Sequence, residues 1–104
     1  MTRVTLKEDS GRYSVFCEGH AVGSCEGHAV GSCEVCAAVS TLVYTLLGYL
    51  KNADSVALEK EEIADGYAEI EFSGGESARA VYELISIGFL QLAMAKSELI
   101  EVSL

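Results

Sequence analysis

The first eighteen residues alternate between hydrophobic and polar positions, as the two strands of a β-hairpin do. In Met1–Lys7, Val4 and Leu6 fall on one face and polar residues fall on the other. Asp9, Ser10 and Gly11 then form a turn signal. Arg12–Glu18 continues with bulky residues typical of a second strand. The pattern therefore predicts an N-terminal β-hairpin.

Hydrophobic residues recur at helical spacing further along the chain. They predict a first helix over about Glu34–Leu50, with apolar positions at Val35, Val39, Leu42, Val43, Leu46 and Leu50. Glu34 suits the first turn of this helix, and Ser32 or Cys33 falls near its cap position. The helix is expected to end near Lys51.

The second half of the chain repeats the hairpin-then-helix arrangement. Ser55–Glu61 and Tyr67–Phe72 are predicted strands, joined at the hairpin-turn pair Asp65-Gly66. Ser73 and Glu76 have the spacing of a capping box and open a second helix that runs to about Ala95. A short last strand is expected within Glu98–Leu104.

The predicted order is β-β-α-β-β-α-β in a single domain, 1–104. Hairpins that alternate with single helices imply an α+β fold with a mostly antiparallel sheet and two helices. The second helix is apolar on most sides from Leu84 to Ala95, so we expect both of its faces to be covered. A second copy of the chain would supply the second cover and make a homodimer.

The net charge of the chain indicates which kinds of partner it is expected to bind. The chain has 104 residues and a formal net charge of −9, which disfavours direct binding to nucleic acid and suits a basic protein partner. Its first ten residues lack the apolar run of a signal peptide, and Val35–Leu50 is too short and too polar for a membrane span. We therefore expect a cytoplasmic protein, in which the four Cys are reduced.

The segment Glu18–Ser40 concentrates the chemically reactive residues. The octapeptide EGHAVGSC occurs twice in tandem and contains both His of the chain, and Cys36 follows it. Cys36 at a helix start is a candidate nucleophile, because the helix N-terminus favours a thiolate and backbone N–H groups there could hold an oxyanion. His20 or His28 is the candidate general base.

Two other kinds of site fit the same segment. Zinc could be bound by the pairs Cys17-x-x-His20, Cys25-x-x-His28 and Cys33-x-x-Cys36, although copying one octapeptide inflates this count. A redox dithiol at Cys33 and Cys36 is disfavoured, because thioredoxin-like folds use a cis-Pro and this chain has no Pro. A zinc- or partner-binding module without enzymatic activity remains the alternative function.

The residues Gly27-His28-Ala29 followed by Val35-Cys36-Ala37-Ala38-Val39-Ser40 resemble a known family. They are similar to the ribosomal-processing cysteine proteases (Prp), whose pattern is Gly-His-Ala, a flexible loop, and then Val-Cys-Ala-(Ala/Gly)-Val-Ser at a helix start. The resemblance extends over nearly the whole chain. The two motifs together are more specific than either motif alone.

The resemblance implies a cysteine endopeptidase that trims the N-terminal extension of a large-subunit ribosomal protein. Such an enzyme is usually a homodimer, needs no cofactor or metal, and acts on a precursor whose N-terminal region is basic. Cys36 falls on the family nucleophile and Ser40 on a helper position. Gly27 and Ala29 flank the His of the matched motif and would line the substrate site.

The tandem copy departs from the family pattern. His20 precedes Cys36 by sixteen residues and His28 precedes it by eight, and the commonest family spacing lies between these values. His20 keeps the continuity with the preceding strand, whereas His28 keeps a shorter-loop spacing and is slightly favoured on that ground. The family has an Asp three residues before the Cys, and this position is Cys33 here. If that Asp orients the His, either Glu34 substitutes for it or the orientation is lost. A relative inactivated by the extra copy is the third possibility.

Overall fold

The computed structural model describes residues 1–19 and 30–104, and of residues 30–33 it describes the backbone alone. Five strands and two helices follow one another along the described chain. They are β1 (Thr2–Asp9), β2 (Arg12–Glu18), α1 (Val30–Asn52), β3 (Val56–Ala64), β4 (Tyr67–Gly74), α2 (Glu76–Ala95) and β5 (Ile100–Ser103). The predicted order β-β-α-β-β-α-β is confirmed.

The strands form one mixed sheet in the order β3-β4-β2-β1-β5. Three of the four strand pairs are antiparallel, and β5 pairs with β1 in parallel. The antiparallel pairs include both predicted hairpins, β1–β2 and β3–β4. The α+β class with a mostly antiparallel sheet and two helices is therefore confirmed.

Both hairpins turn where the sequence predicts. Ser10 and Gly11 have φ angles of 50° and 84°, and Gly66 has a φ of 70°. The Ser10-Gly11 turn, with positive φ at both central residues, matches the right-handed twist of the strands that it joins. In the Asp65-Gly66 turn only the glycine has a positive φ, which glycine adopts without steric cost. The strands themselves are longer than predicted, since β3 continues to Ala64 and β4 to Gly74.

The first helix begins earlier than the sequence pattern indicated. α1 starts at Val30, so Ser32 and Cys33 lie inside the helix and not at its cap. Its first turn contains no acidic residue, and the prediction that Glu34 occupies that turn is wrong. The three uncharged residues at the end of the second octapeptide, Gly31 to Cys33, join the helix because nothing in them blocks helical backbone angles.

The start of α2 also differs from its prediction in one detail. The N-cap of α2 is Gly75 and no side chain bonds to the free N–H groups there, so the capping box predicted for Ser73 and Glu76 is absent. Ser73 instead stays in strand β4, opposite Arg12 of β2. Because Ser73 is paired within the sheet, it does not act as the N-cap residue that a capping box requires.

The core lies on one face of the sheet, beneath both helices. Inward residues of β4 are Ala68, Ile70 and Phe72, each fully buried as predicted, and they belong to a single cluster with residues of both helices. Tyr13 of β2 stacks on Phe72 with ring centroids 5.4 Å apart. Because a helix-covered face needs apolar residues at every second position, the period-two pattern of the strands produces this core.

The second helix is long and apolar. Of the helices in the described part of the chain, α2 alone has the length and mean hydropathy (1.2) of a membrane span, and 22% of it is buried. Core helices of soluble proteins meet the same criteria. One side of α2, which includes Ile85 and Phe89, is buried against the sheet.

Candidate active site

Cys36 lies in the second turn of α1, on the side that faces the protein interior. Its neighbours Val35 and Val39 are in the buried core, and Cys36 itself is only 4% exposed. The prediction that Cys36 occupies the first helical turn is wrong, because α1 begins at Val30. In an α-helix the N–H of Cys36 bonds to the carbonyl of Ser32, so that amide is not a free oxyanion donor. The free N–H groups belong to the first four helical residues.

Burial determines the protonation of the two described thiols. Desolvation raises the pKa of Cys36 above its usual value and raises the pKa of Cys17, in strand β2, to about 12. Because a raised pKa favours the neutral form, both groups are thiols at neutral pH. A reaction at Cys36 therefore requires a base that removes its proton, since burial does not favour a preformed thiolate.

Ser40 lies one helical turn after Cys36. Residues four apart in a helix share a face, so the nucleophile candidate and the helper candidate are neighbours on α1, as the motif predicts. Ser40 is half-buried, and Thr41 beside it donates a hydrogen bond to the carbonyl of Ala37 at 2.8 Å. This face of α1 lies partly at the protein surface.

The remaining candidates of the sequence analysis lie outside the described residues. These are His20, His28, Gly27 and Ala29, together with Cys25 of the zinc hypothesis. Among the described residues, no group of three or more His, Cys, Asp or Glu could hold a metal ion. The pairing of Cys36 with a catalytic His and the binding of zinc by the Cys-x-x-His and Cys-x-x-Cys pairs therefore stay predictions.

Gly19 marks the point where the chain leaves β2 towards His20. Its φ is 107°, and a Cβ atom at this position would lie 2.8 Å from the carbonyl oxygen of Met1. Only glycine accommodates both that φ and so close a backbone approach. The sequence signal for this role was available, because Gly19 is the glycine of the first Gly-His-Ala copy.

Gly19→Ala should destabilise the protein by more than about 2 kcal/mol, since it adds a clash with Met1 to a strained φ. Gly11→Ala is the matched control: Gly11 has a φ of 84° with nothing within 4 Å of the added Cβ. The control should cost about 1–2 kcal/mol, the strain alone. Urea unfolding measures both variants, and equal losses would contradict the close packing of Gly19 on Met1.

Glu34, the candidate substitute for the family Asp, forms an ion pair with a residue at the end of α2. Its carboxylate oxygen Oε2 lies 3.2 Å from Nζ of Lys96, the residue that caps the C-terminus of α2. The turn that follows α2, residues Ala95–Leu99, lines an open pocket of about 270 Å³. Sequence reasoning missed Lys96, because no local pattern relates it to the start of α1.

A match to a protein-family model extends over nearly the whole chain, including the Cys36 region of α1. Residues 1–101 match the family model described as cysteine protease Prp. The chain therefore belongs to this family of cysteine proteases, as the Gly-His-Ala and Val-Cys-Ala-Ala-Val-Ser motifs indicated. No curated protein sequence matches the chain.

One solved structure supports the fold assignment over nearly the full length. The crystal structure of SMU.848 from Streptococcus mutans superposes with a TM-score of 0.76 at 27% sequence identity. The alignment covers 99% of this chain and 92% of SMU.848. The sheet and both helices thus have a solved counterpart.

Proposed function

We propose that the protein is a cytoplasmic cysteine endopeptidase that trims the N-terminal extension of a large-subunit ribosomal protein. The observation that carries the proposal is the family match over residues 1–101, with Cys36 at the nucleophile position of the motif in α1. The family supplies the reaction class. The identity of the substrate comes from the resemblance of the sequence to the ribosomal-processing proteases.

We favour His20 as the base, because it is the residue that follows Gly19 at the end of β2. The spacing of His28 favoured it slightly in the sequence, but spacing along a loop does not fix a position in space. The end of β2 supports His20, because Glu18 pairs with Arg3 of β1 and Gly19 packs on Met1. In the sequence His20 directly follows Gly19, whereas eight residues lie between Gly19 and His28.

The proposed reaction follows from the protonation of Cys36. His20 removes the proton of the buried thiol, and the sulfur attacks the scissile carbonyl carbon to form a tetrahedral intermediate. As the C–N bond breaks, the imidazolium returns the proton to the leaving amine, and the acyl group stays on sulfur as a thioester. Water activated by the neutral imidazole then hydrolyses the thioester and regenerates the thiol.

The charge of the protein supports a basic substrate. The β3–β4 hairpin carries six acidic residues within 56–74 and one basic residue, Lys60. Hydrogen bonds from Lys60 and Tyr67 hold the pKa of Glu69 below its usual value, so that carboxylate stays ionised at neutral pH. A surface of this sign attracts a basic ribosomal-protein segment and speeds its association.

Alkylation tests the nucleophile directly. Iodoacetamide that modifies Cys36 should remove cleavage of the precursor, and digestion after glutamates locates the label. The peptide that starts at Val35 and ends at Glu59 contains Cys36 as its only Cys. Full cleavage by protein alkylated at Cys36 would contradict the proposal and favour the zinc- or partner-binding alternative, for which retained zinc is the direct measurement.

A homodimer is the second part of the proposal, and the exposed face of α2 supports it. Ala80, Leu84, Ile87, Gln91 and Met94 are all exposed and follow one another at intervals of four and three residues. Leu84 is 67% and Met94 is 77% exposed. This spacing is typical of a helix face that packs against another helix, and a symmetric dimer would pair it with its own copy.

Ile87→Glu should convert the protein from dimer to monomer, because it places a charge in the middle of this face. Leu104→Glu makes the same change at another exposed apolar residue and should leave the dimer intact. Sedimentation equilibrium gives the mass, which is 11.1 kDa for one chain. A wild-type monomer, or dissociation by both variants, would contradict this interface.

A further inference from the structure

An ion pair at each end of α1 ties that helix to a neighbouring element. Glu34 near the N-terminus pairs with Lys96 of the α2 C-cap at 3.2 Å, and Lys51 near the C-terminus pairs with Glu61 of β3 at 3.0 Å. These are the two ion pairs of the described residues that join α1 to another element. The N-terminal pair lies two residues from Cys36, whereas the C-terminal pair lies fifteen residues away.

Backbone hydrogen bonds hold Lys96 at the end of α2. Its N–H donates to the carbonyl of Leu92 at 2.9 Å, and its own carbonyl accepts from Leu99 at 2.9 Å and Ile100 at 3.2 Å. The carbonyl of Leu99 in turn accepts the N–H of Thr2 at 2.9 Å. The base of the Lys96 side chain is therefore fixed to α2, to the start of β5 and to β1.

The Glu34–Lys96 ion pair lies on the outer side of the second turn of α1. Val35 and Val39 anchor its inner side in the core. Glu34 points outward and is 60% exposed, and its contact with Lys96 restrains that side. Terminal turns of helices open more readily than helix centres, and a nucleophile that moves by about 1 Å loses catalytic geometry.

We propose that Lys96, acting through Glu34, is a positioning residue that holds the Cys36 turn of α1 in its catalytic place. The inference rests on the proposed function in that Cys36 is taken as the nucleophile. The contribution to overall stability is small, since exposed ion pairs contribute little to folding. The effect is local to the N-terminal turns of α1.

Amide hydrogen exchange tests this role without relying on catalysis. Lys96→Met keeps most of the aliphatic chain and removes the charge, so exchange within residues 34–40 should become about two- to fivefold faster. Lys51→Met is the matched control, because it breaks the ion pair at the other end of α1. It should leave residues 34–40 unchanged, and Lys96→Arg should restore the wild-type rate.

Catalysis supplies the second readout. Lys96→Met should lower kcat for precursor cleavage by about two- to fivefold with KM unchanged, and Lys96→Arg should recover it. Unchanged exchange in Lys96→Met, or equal acceleration of residues 34–40 in Lys51→Met, would overturn the proposal. If exchange changes as expected but no variant cleaves the precursor, the proposed protease function fails and the anchoring of the Cys36 turn by Lys96 stands.

Discussion

His20→Ala should lower the rate of precursor cleavage by about 10²–10⁴-fold, the contribution of a positioned general base. The physical reason is the protonation of Cys36. Burial raises the pKa of this thiol, so it needs a base to become nucleophilic at neutral pH. Of the two His, His20 directly follows Gly19, whose backbone packs on Met1 at the end of β2, and on that ground we propose it as the base.

His28→Ala is the matched control, because it makes the same change in the second octapeptide copy. It should keep the rate within about threefold of wild type, since a residue outside the reaction does not contribute to its barrier. Steady-state kinetics with a precursor peptide measure both variants. A large loss in His28→Ala and none in His20→Ala would show that spacing to Cys36, and not the end of β2, selects the base.

Raising the pH should increase the rate of the wild type. A group whose pKa is raised stays protonated to higher pH, so the thiolate of Cys36 becomes more abundant as pH rises towards that value. In His20→Ala this dependence should become steeper, because hydroxide and water replace the missing base. The pH profile of cleavage by both proteins checks the sign of the effect.

The strands and turns were predictable because their signals are local. Alternation of apolar and polar residues placed Val4 and Leu6 in the core, and both proved buried. Asp65-Gly66 predicted its hairpin because the turn requires a positive φ that glycine adopts readily, and Gly66 has a φ of 70°. Because such signals depend on only a few neighbouring residues, strands and turns can be predicted from them without knowledge of the tertiary structure.

The errors at the helix starts also have physical reasons. The beginning of α1 at Val30 was missed because Gly31, Ser32 and Cys33 match a loop as well as a helix, and their helical state depends on the neighbouring turns. The capping box at Ser73 failed because β4 extends to Gly74 and pairs with its neighbours there. In both cases the structure next to the helix start, and not the intrinsic preference of the residues themselves, determined where the helix begins.

Long-range features of the site had no signal in the sequence. The parallel pairing of β5 with β1 and the contact between Glu34 and Lys96 join residues far apart in the chain. The motif did locate Cys36, but its burial and its place in the second turn of α1 came from the structure. The burial of a residue depends on contacts that are distant in the sequence, and a local motif therefore does not predict it.

The central claim is that Cys36 is the nucleophile of a peptidase. Cys36→Ala should lower cleavage of the ribosomal-protein precursor by at least about 10⁴-fold, because it removes the sulfur on which the proposed acyl intermediate forms. Cys17→Ala is the control: it removes the other described buried thiol, which lies in strand β2. Removing a small buried side chain there should leave the protein folded and active.

The most direct measurement is therefore mass spectrometry of the precursor after incubation with wild type, Cys17→Ala or Cys36→Ala, with circular dichroism to verify folding. We predict a single cut by the first two proteins and none by Cys36→Ala. Cleavage that persists in folded Cys36→Ala, or no cleavage by folded wild type, would contradict the account.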